Sequence, residues 1–299
     1  MKNQGKAYLF ALTSVFLWST AASAFKISLG YLSPVELLFY SAAVSCVVLL
    51  IILAVQKKLH LFRTLDTNVW KTSLFFGFLS PFLYYLILLK AYDLLPAQQA
   101  QPLNYTWAIT LSLMSVPLLG HRLRMLEIVA VLVSYIGVMV ISTHGDLFSL
   151  RFENPFGVSL ALASTIVWAL YWIANTRDTR DTVFGLFMNF LCSLPYIAIY
   201  LLATEGFRTV EVAGLLGAVY VGTFEMGIAF VTWLMAMKLT VSTARIANLI
   251  FISPFLSLFL IHFLVGEQIM SSSVIGLIFI VAGLLIQTAA GRRERIEHS

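Results

Sequence analysis

Apolar runs of about the 20 residues that a helix needs to cross a hydrocarbon layer recur along this 299-residue chain from one end to the other. Only short polar breaks separate them, none long enough for a separate water-soluble domain. With 60% hydrophobic and 11% charged residues, the chain carries more apolar surface than a soluble fold of its length can hide. The lipid bilayer is its main solvent. Inside hydrocarbon every backbone N–H and C=O must be paired within the structure. Runs rich in Leu, Ala, Ile and Met, without the alternation of a barrel strand, meet that demand as helices. The fold class is therefore all-α integral membrane.

Breaks marked by charge, proline or glycine delimit ten transmembrane helices near residues 7–29, 34–55, 71–92, 97–118, 125–142, 156–175, 183–203, 211–236, 243–265 and 271–290. With the N-terminus in the cytoplasm, Lys2, Lys6, Lys57, Lys58, Arg63, Lys71, Arg122, Arg124, Arg177, Arg180, Lys238, Arg245, Arg292, Arg293 and Arg295 fall inside. Lys26, Lys90, Arg151 and Arg208 fall outside, a split of fifteen to four among the 19 basic residues. Both termini are then cytoplasmic. The net charge of +5 sits in short loops and reports topology, not nucleic-acid binding. Lys2 and Lys6, an apolar run and Ala22-Ser23-Ala24 have the outline of a cleavable signal peptide. The run continues through Phe25 and Ile27 and has a counterpart later in the chain, so it is read as the first span. Cys46 and Cys192 lie in apolar runs and read as small buried hydrophobes without a disulfide or metal role.

The counterpart reveals a repeat. ALTSVFLWS at Ala11–Ser19 and ALASTIVWA at Ala161–Ala169 align Trp18 with Trp168 at an offset of 150. Gly120 and Gly137 stand to spans four and five as Gly266 and Gly283 stand to spans nine and ten, at an offset of 146. The chain divides into five-helix halves, 1–147 and 148–299, within one membrane domain. An odd number of spans per half sends the second half into the membrane from the opposite side. Two inverted five-helix repeats follow, a plan suited to alternating access around a central cavity.

Several stretches carry a family likeness. GEQIMSSSVIGLIFIVAGLLI, Gly266–Ile286, resembles the closing signature of the ten-span, two-repeat EamA-type members of the drug/metabolite transporter superfamily. LWST at Leu17–Thr20, LNYTW at Leu103–Trp107, VWALYW at Val167–Trp172 and GIAFVTW at Gly227–Trp233 resemble the aromatic amino-acid exporter branch. The first half departs from the signature with His121 after Gly120, where the second half has Glu267. Ala108 stands where that branch has proline, which implies a less kinked fourth span. The resemblance implies a secondary transporter that exports aromatic or large apolar amino acids, in a bacterial inner membrane. Other metabolites or cationic drugs of the same superfamily are the alternative cargo.

Residue chemistry suggests a binding pocket independently. Helical spacing gathers Ser164, Trp168, Tyr171, Trp172 and Asn175 on one face of span six, with Trp172 near the headgroup level as an interfacial anchor. Asn104 and Trp107 share a face of span four with Tyr105 beside them, so an amide meets flat aromatic walls suited to an amphiphilic solute. Tyr84 and Tyr85 follow Ser80-Pro81, where proline can open a kink. Trp18 joins the candidates through its alignment with Trp168. Gln98, Gln99 and Gln101 open span four, where free N–H groups could meet a substrate carboxylate or the amides could equally face water. Glu225 lies deep in span eight, where a charge is costly unless protonated, paired or hydrated; it is a candidate proton carrier or amine binder. The glycines of spans eight and ten read as packing residues, and Lys26, Glu36, Lys90 and Asp93 as surface charges. A membrane enzyme is the competing class, but H-E-x-x-H, clustered acids and G-x-S-x-G are all absent. The expected partners are a small-molecule substrate and lipid, with no cofactor, and a monomer can suffice.

Overall fold

The computed structural model describes residues 3–119, 125–146, 154–175, 178–240, 246 and 248–297. The expected pairing of Gly120 with His121, and the charges of Lys2, Arg122, Arg124, Arg151, Arg177 and Arg245, lie outside the described residues. The helices are α1 (Gln4–Ser28), α2 (Pro34–Val55), α3 (Thr67–Leu94), α4 (Ala97–Tyr105), α5 (Trp107–Leu119), α6 (Met125–Ser142), α7 (Pro155–Asn175), α8 (Thr182–Thr204), α9 (Val212–Leu239), α10 (Leu249–Val265) and α11 (Ser271–Glu297). No strand occurs among the described residues, as the backbone argument requires. All but α4, α5 and α10 are long and apolar enough to cross a membrane, eight in number.

The expected span 34–55 coincides with α2, and the span expected to end at 142 ends with α6 at Ser142. The fourth is interrupted. Even without proline at 108 the helix breaks at Thr106, whose hydroxyl turns back to donate to the Leu103 carbonyl at 2.8 Å, and α5 restarts at Trp107. In α3, Ser80 leaves helical geometry (φ −150°, ψ 125°) before Pro81, and the turn Phe78–Leu83 widens to π-helical form. A second widened turn, Val221–Ile228, occupies the middle of α9. There α2 closes in so far that a Cβ on Gly222 would strike the Ser41 carbonyl, and Ser45 Oγ donates to the Met226 carbonyl at 3.2 Å.

The N-terminus of α4 is closed by the protein itself. Glu267 accepts from the N–H groups of Ala97 (2.7 Å) and Gln98 (3.2 Å), a carboxylate on the positive end of the helix. Gly266, at φ +81°, supplies the left-handed turn that aims it. Gln98 bridges to the Gln268 carbonyl (2.9 Å), the Met270 N–H (2.8 Å) and Ser273 Oγ (2.9 Å), and Gln99 hydrogen-bonds His144. These groups are thus spoken for, which corrects the expectation that they await a substrate carboxylate. Two supposed surface charges are also structural. Half-buried Lys26 donates to the carbonyls of Tyr92 and Leu95, both at 2.9 Å, at the end of α3, and buried Glu36 completes a capping box with Ser33 at the start of α2. Lys90 and Asp93 do form a partly exposed ion pair at 2.6 Å.

Helices α6 and α11 pack along their lengths through a glycine seam. A Cβ on Gly276 would sit 2.6 Å from the Gly137 carbonyl, and one on Gly283 would sit 2.6 Å from the Ala130 carbonyl. Backbone therefore touches backbone. Gly137→Val is expected to force the two helices apart and cost about 1–3 kcal/mol, the range for overpacking. Thermal unfolding in detergent reads this as a lower midpoint; an unchanged midpoint contradicts the seam.

Candidate functional site

A cavity of about 160 Å³ opens between α1, α3, α4, α5, α7, α9 and α10. The interrupted helices deliver its lining: Tyr84 and Tyr85 follow the Ser80 kink, Asn104, Tyr105 and Trp107 flank the Thr106 break, and Glu225 lies in the widened turn of α9. Tyr84 stacks on Trp168 with ring centroids 4.5 Å apart, and Tyr171 stacks on Trp168 at 5.3 Å. Phe230 stands edge-on to both Trp168 (5.9 Å) and Trp18 (5.7 Å), and Trp18 leans on Trp233 at 5.3 Å. The walls are therefore ring edges and faces held by one another.

Polar groups are few and mostly engaged. Tyr84 Oη donates to Asn104 Oδ1 at 3.3 Å, Asn104 Nδ2 donates to Ser164 Oγ at 3.0 Å, and Ser164 Oγ donates to the Ala161 carbonyl at 2.6 Å. The Gln101 carbonyl oxygen accepts from Ser257. Tyr85 Oη donates to Glu225 Oε1 at 2.8 Å. Glu225 is 7% exposed, and its second oxygen, Oε2, is buried without a hydrogen-bond partner. Among the described residues that line the cavity, Glu225 is the one acid, and none is Lys, Arg or His.

The sequence model of the EamA-like transporter family matches residues 5–143 and again residues 155–288. The chain belongs to this family. An uncharacterized transporter of Clostridium kluyveri is 23% identical over 298 residues, covering 96% of this chain and 94% of its own. The aromatic amino acid exporter YddG of Ancylobacter novellus is 26% identical over 250 residues, 79% of this chain and 81% of its own. A solved crystal structure aligns with a TM-score of 0.67 over 97% of this chain and 99% of its own at 23% identity, a likeness of fold. Family and relatives are described as transporters, which indicates a multi-pass membrane carrier of small molecules rather than an enzyme.

In this EamA chain the structure brings Trp18, Tyr84, Tyr85, Asn104, Tyr105, Trp107, Trp168 and Glu225 to one cavity. Tyr171 does not line it. Tyr171 backs Trp168 and faces a second cavity of about 120 Å³, which shares Trp172, Phe230 and Trp233 with the first. Trp172 stands between the two spaces with its indole N–H buried and unpartnered. The second cavity in turn shares Asp178 and Arg180 with a third, of about 480 Å³. There Arg180 donates to Asp178 at 2.7 Å, to Ser73 Oγ at 2.6 Å and to Asn189 Oδ1 at 3.0 Å, tying α3, α8 and the segment before α8 together.

Sequence reasoning missed Trp233, Phe230, Asp178 and Arg180. Trp233 closes the quoted GIAFVTW stretch and stands with Phe230 at a helical i, i+3 spacing; the widened turn Val221–Ile228 then brings both to the cavity with Glu225. That spacing was the available signal. Arg180 gave none beyond its count as a loop charge.

Proposed function

We propose that this protein is a secondary transporter that exports aromatic or large apolar amino acids and related small solutes by alternating access. The observation that carries this reading is the cavity between helices of both halves, walled by tryptophan and tyrosine and holding a single acid. The chain crosses a bacterial inner membrane ten times, α4–α5 and α10 included, with both termini in the cytoplasm. Its halves are inverted repeats. Matching irregularities support that plan: the widened turns of α3 and α9 begin 143 residues apart, at Phe78 and Val221. The break at Thr106 and the change from 3₁₀ to α geometry after Ile252 are 146 apart. Interrupted helices at equivalent places in two halves are where transporters of this plan bind cargo. The printed function of the Ancylobacter novellus relative supports the amino-acid cargo.

Glu225 is the proton carrier in this reading. The second and third cavities, in line behind Trp172 and then behind Arg180–Asp178, form the cytoplasmic half of the path. Flux in proteoliposomes tests the site. Trp107→Ala and Trp168→Ala each remove a cavity wall, and each is expected to lower flux tenfold or more while expression falls less than twofold. Normal flux of every amino acid tested in both variants would remove the cavity from the transport path.

A further inference from the structure

We propose that the cavity selects its cargo by an ammonium group, so that monoamines with an aromatic or bulky apolar body bind ahead of the matching amino acids. The inference rests on the cavity being the transport site. Glu225 Oε1 is fixed by the Tyr85 hydroxyl at 2.8 Å, whereas Oε2 is buried with no protein partner. A buried acceptor left open costs free energy, and an N–H donor from a ligand restores it. A cationic donor restores most, because a charge-assisted bond is about twice as strong as a neutral one. The surrounding ring faces of Trp168, Tyr84 and Trp107 favour the same ligand, since a cation over an aromatic face is drawn by the ring quadrupole.

The carboxylate of an amino acid finds no cation there, only a neutral donor in the buried, unpartnered indole N–H of Trp172. No Lys, Arg or His stands among the described lining residues. Asn104 is committed through both its amide atoms, to Tyr84 and to Ser164, and the Gln101 oxygen to Ser257. Arg180 lies beyond the first cavity and is held by Asp178, Ser73 and Asn189. Desolvating a carboxylate without a cation is unfavourable, and beside Glu225 it also meets like charge. The ammonium is the group recognised, and the carboxylate is tolerated at a cost.

Calorimetric titration of the full chain in detergent, with 2-phenylethylamine, phenylalanine, 3-phenylpropionate and 2-phenylethanol, tests this directly. The amine is expected to bind at least tenfold more tightly than phenylalanine, with the acid and the alcohol weaker still. Glu225→Gln should lose at least tenfold in amine affinity and Glu225→Asp less, with thermal unfolding confirming that both variants are folded. Equal or tighter binding of phenylalanine, comparable binding of the alcohol, unchanged amine affinity in Glu225→Gln, or no binding of any of the four overturns the proposal. Trp168→Ala separates the two readings. If it weakens all ligands while the amine preference is absent, the ammonium inference alone falls; if it changes neither binding nor flux, the cavity reading falls with it.

Discussion

Glu225→Gln, reconstituted in proteoliposomes, is expected to lose the response of flux to an imposed pH gradient, from severalfold stimulation to none, while its thermal unfolding profile is retained. The substitution keeps shape and keeps an oxygen for the Tyr85 hydroxyl, which now sits 2.8 Å from Oε1, so the local packing survives. What it removes is the one carboxyl group among the described residues that line the cavity. The other titratable groups facing it are the phenols of Tyr84, Tyr85 and Tyr92 on α3 and of Tyr105 on α4, and no described lining residue is Lys, Arg or His. No neighbour can replace it. Glu225→Ala behaves differently: it strands the buried Tyr85 hydroxyl, at a cost of about 1–3 kcal/mol, and lowers the unfolding midpoint. A Gln variant still accelerated by the gradient would exclude the proton-carrier role.

The larger effect on stability is expected at Asp178. Both partners of the Asp178–Arg180 pair are 11% exposed, and the guanidinium also lies over the Phe76 ring, 5.7 Å from its centroid. Asp178→Asn leaves a largely buried cation without its counter-charge, a change that costs up to about 3–5 kcal/mol, the value for one member of a fully buried pair. Removing the cation as well, in Asp178→Asn with Arg180→Met, should recover most of the loss. Burial pushes the Asp178 carboxyl up, but its hydrogen bonds to Arg180 and the guanidinium charge outweigh this and hold it below the usual carboxylate range. Its folded-state affinity for protons is therefore depressed, so its contribution is full above the ordinary value of 3.8 and is lost only as pH falls through the lowered one. The latch holds at neutral and mildly acidic pH. Thermal unfolding of the single and double variants checks this, and wild-type stability in Asp178→Asn contradicts it.

Helix α2 shows what could be read from the sequence: its ends are the 34 and 55 expected from the apolar run, because the bilayer sets the length and proline or charge marks the limits. The site was half legible for the same kind of reason. Trp168, Trp107, Asn104 and Tyr84 announce themselves as polar or amphipathic groups in spans that lipid alone would not require. Depth along a span can be counted, but azimuth around the bundle axis cannot, so Trp172 lines the cavity and Tyr171 backs it. Contacts between distant segments left no local trace. Glu267 reads as part of a turn until the fold carries it 170 positions back to the Ala97 N–H, and Arg180 reads as a topology marker until its segment folds in against Ser73. Lys26 was hidden likewise, since its partners are backbone carbonyls that no sequence pattern displays, whereas Glu36 stands in the S-x-x-E pattern of a capping box and was legible.

The glycine seam between α6 and α11 has a bearing on how such a carrier changes over generations. None of its glycines touches the cavity, and none of the cavity's rings takes part in the seam. The seam and the proposed cargo site thus draw on separate sets of residues. A lineage can exchange one tryptophan or tyrosine for another residue, drift toward a new solute, and still inherit an intact frame on which the next exchange is tried.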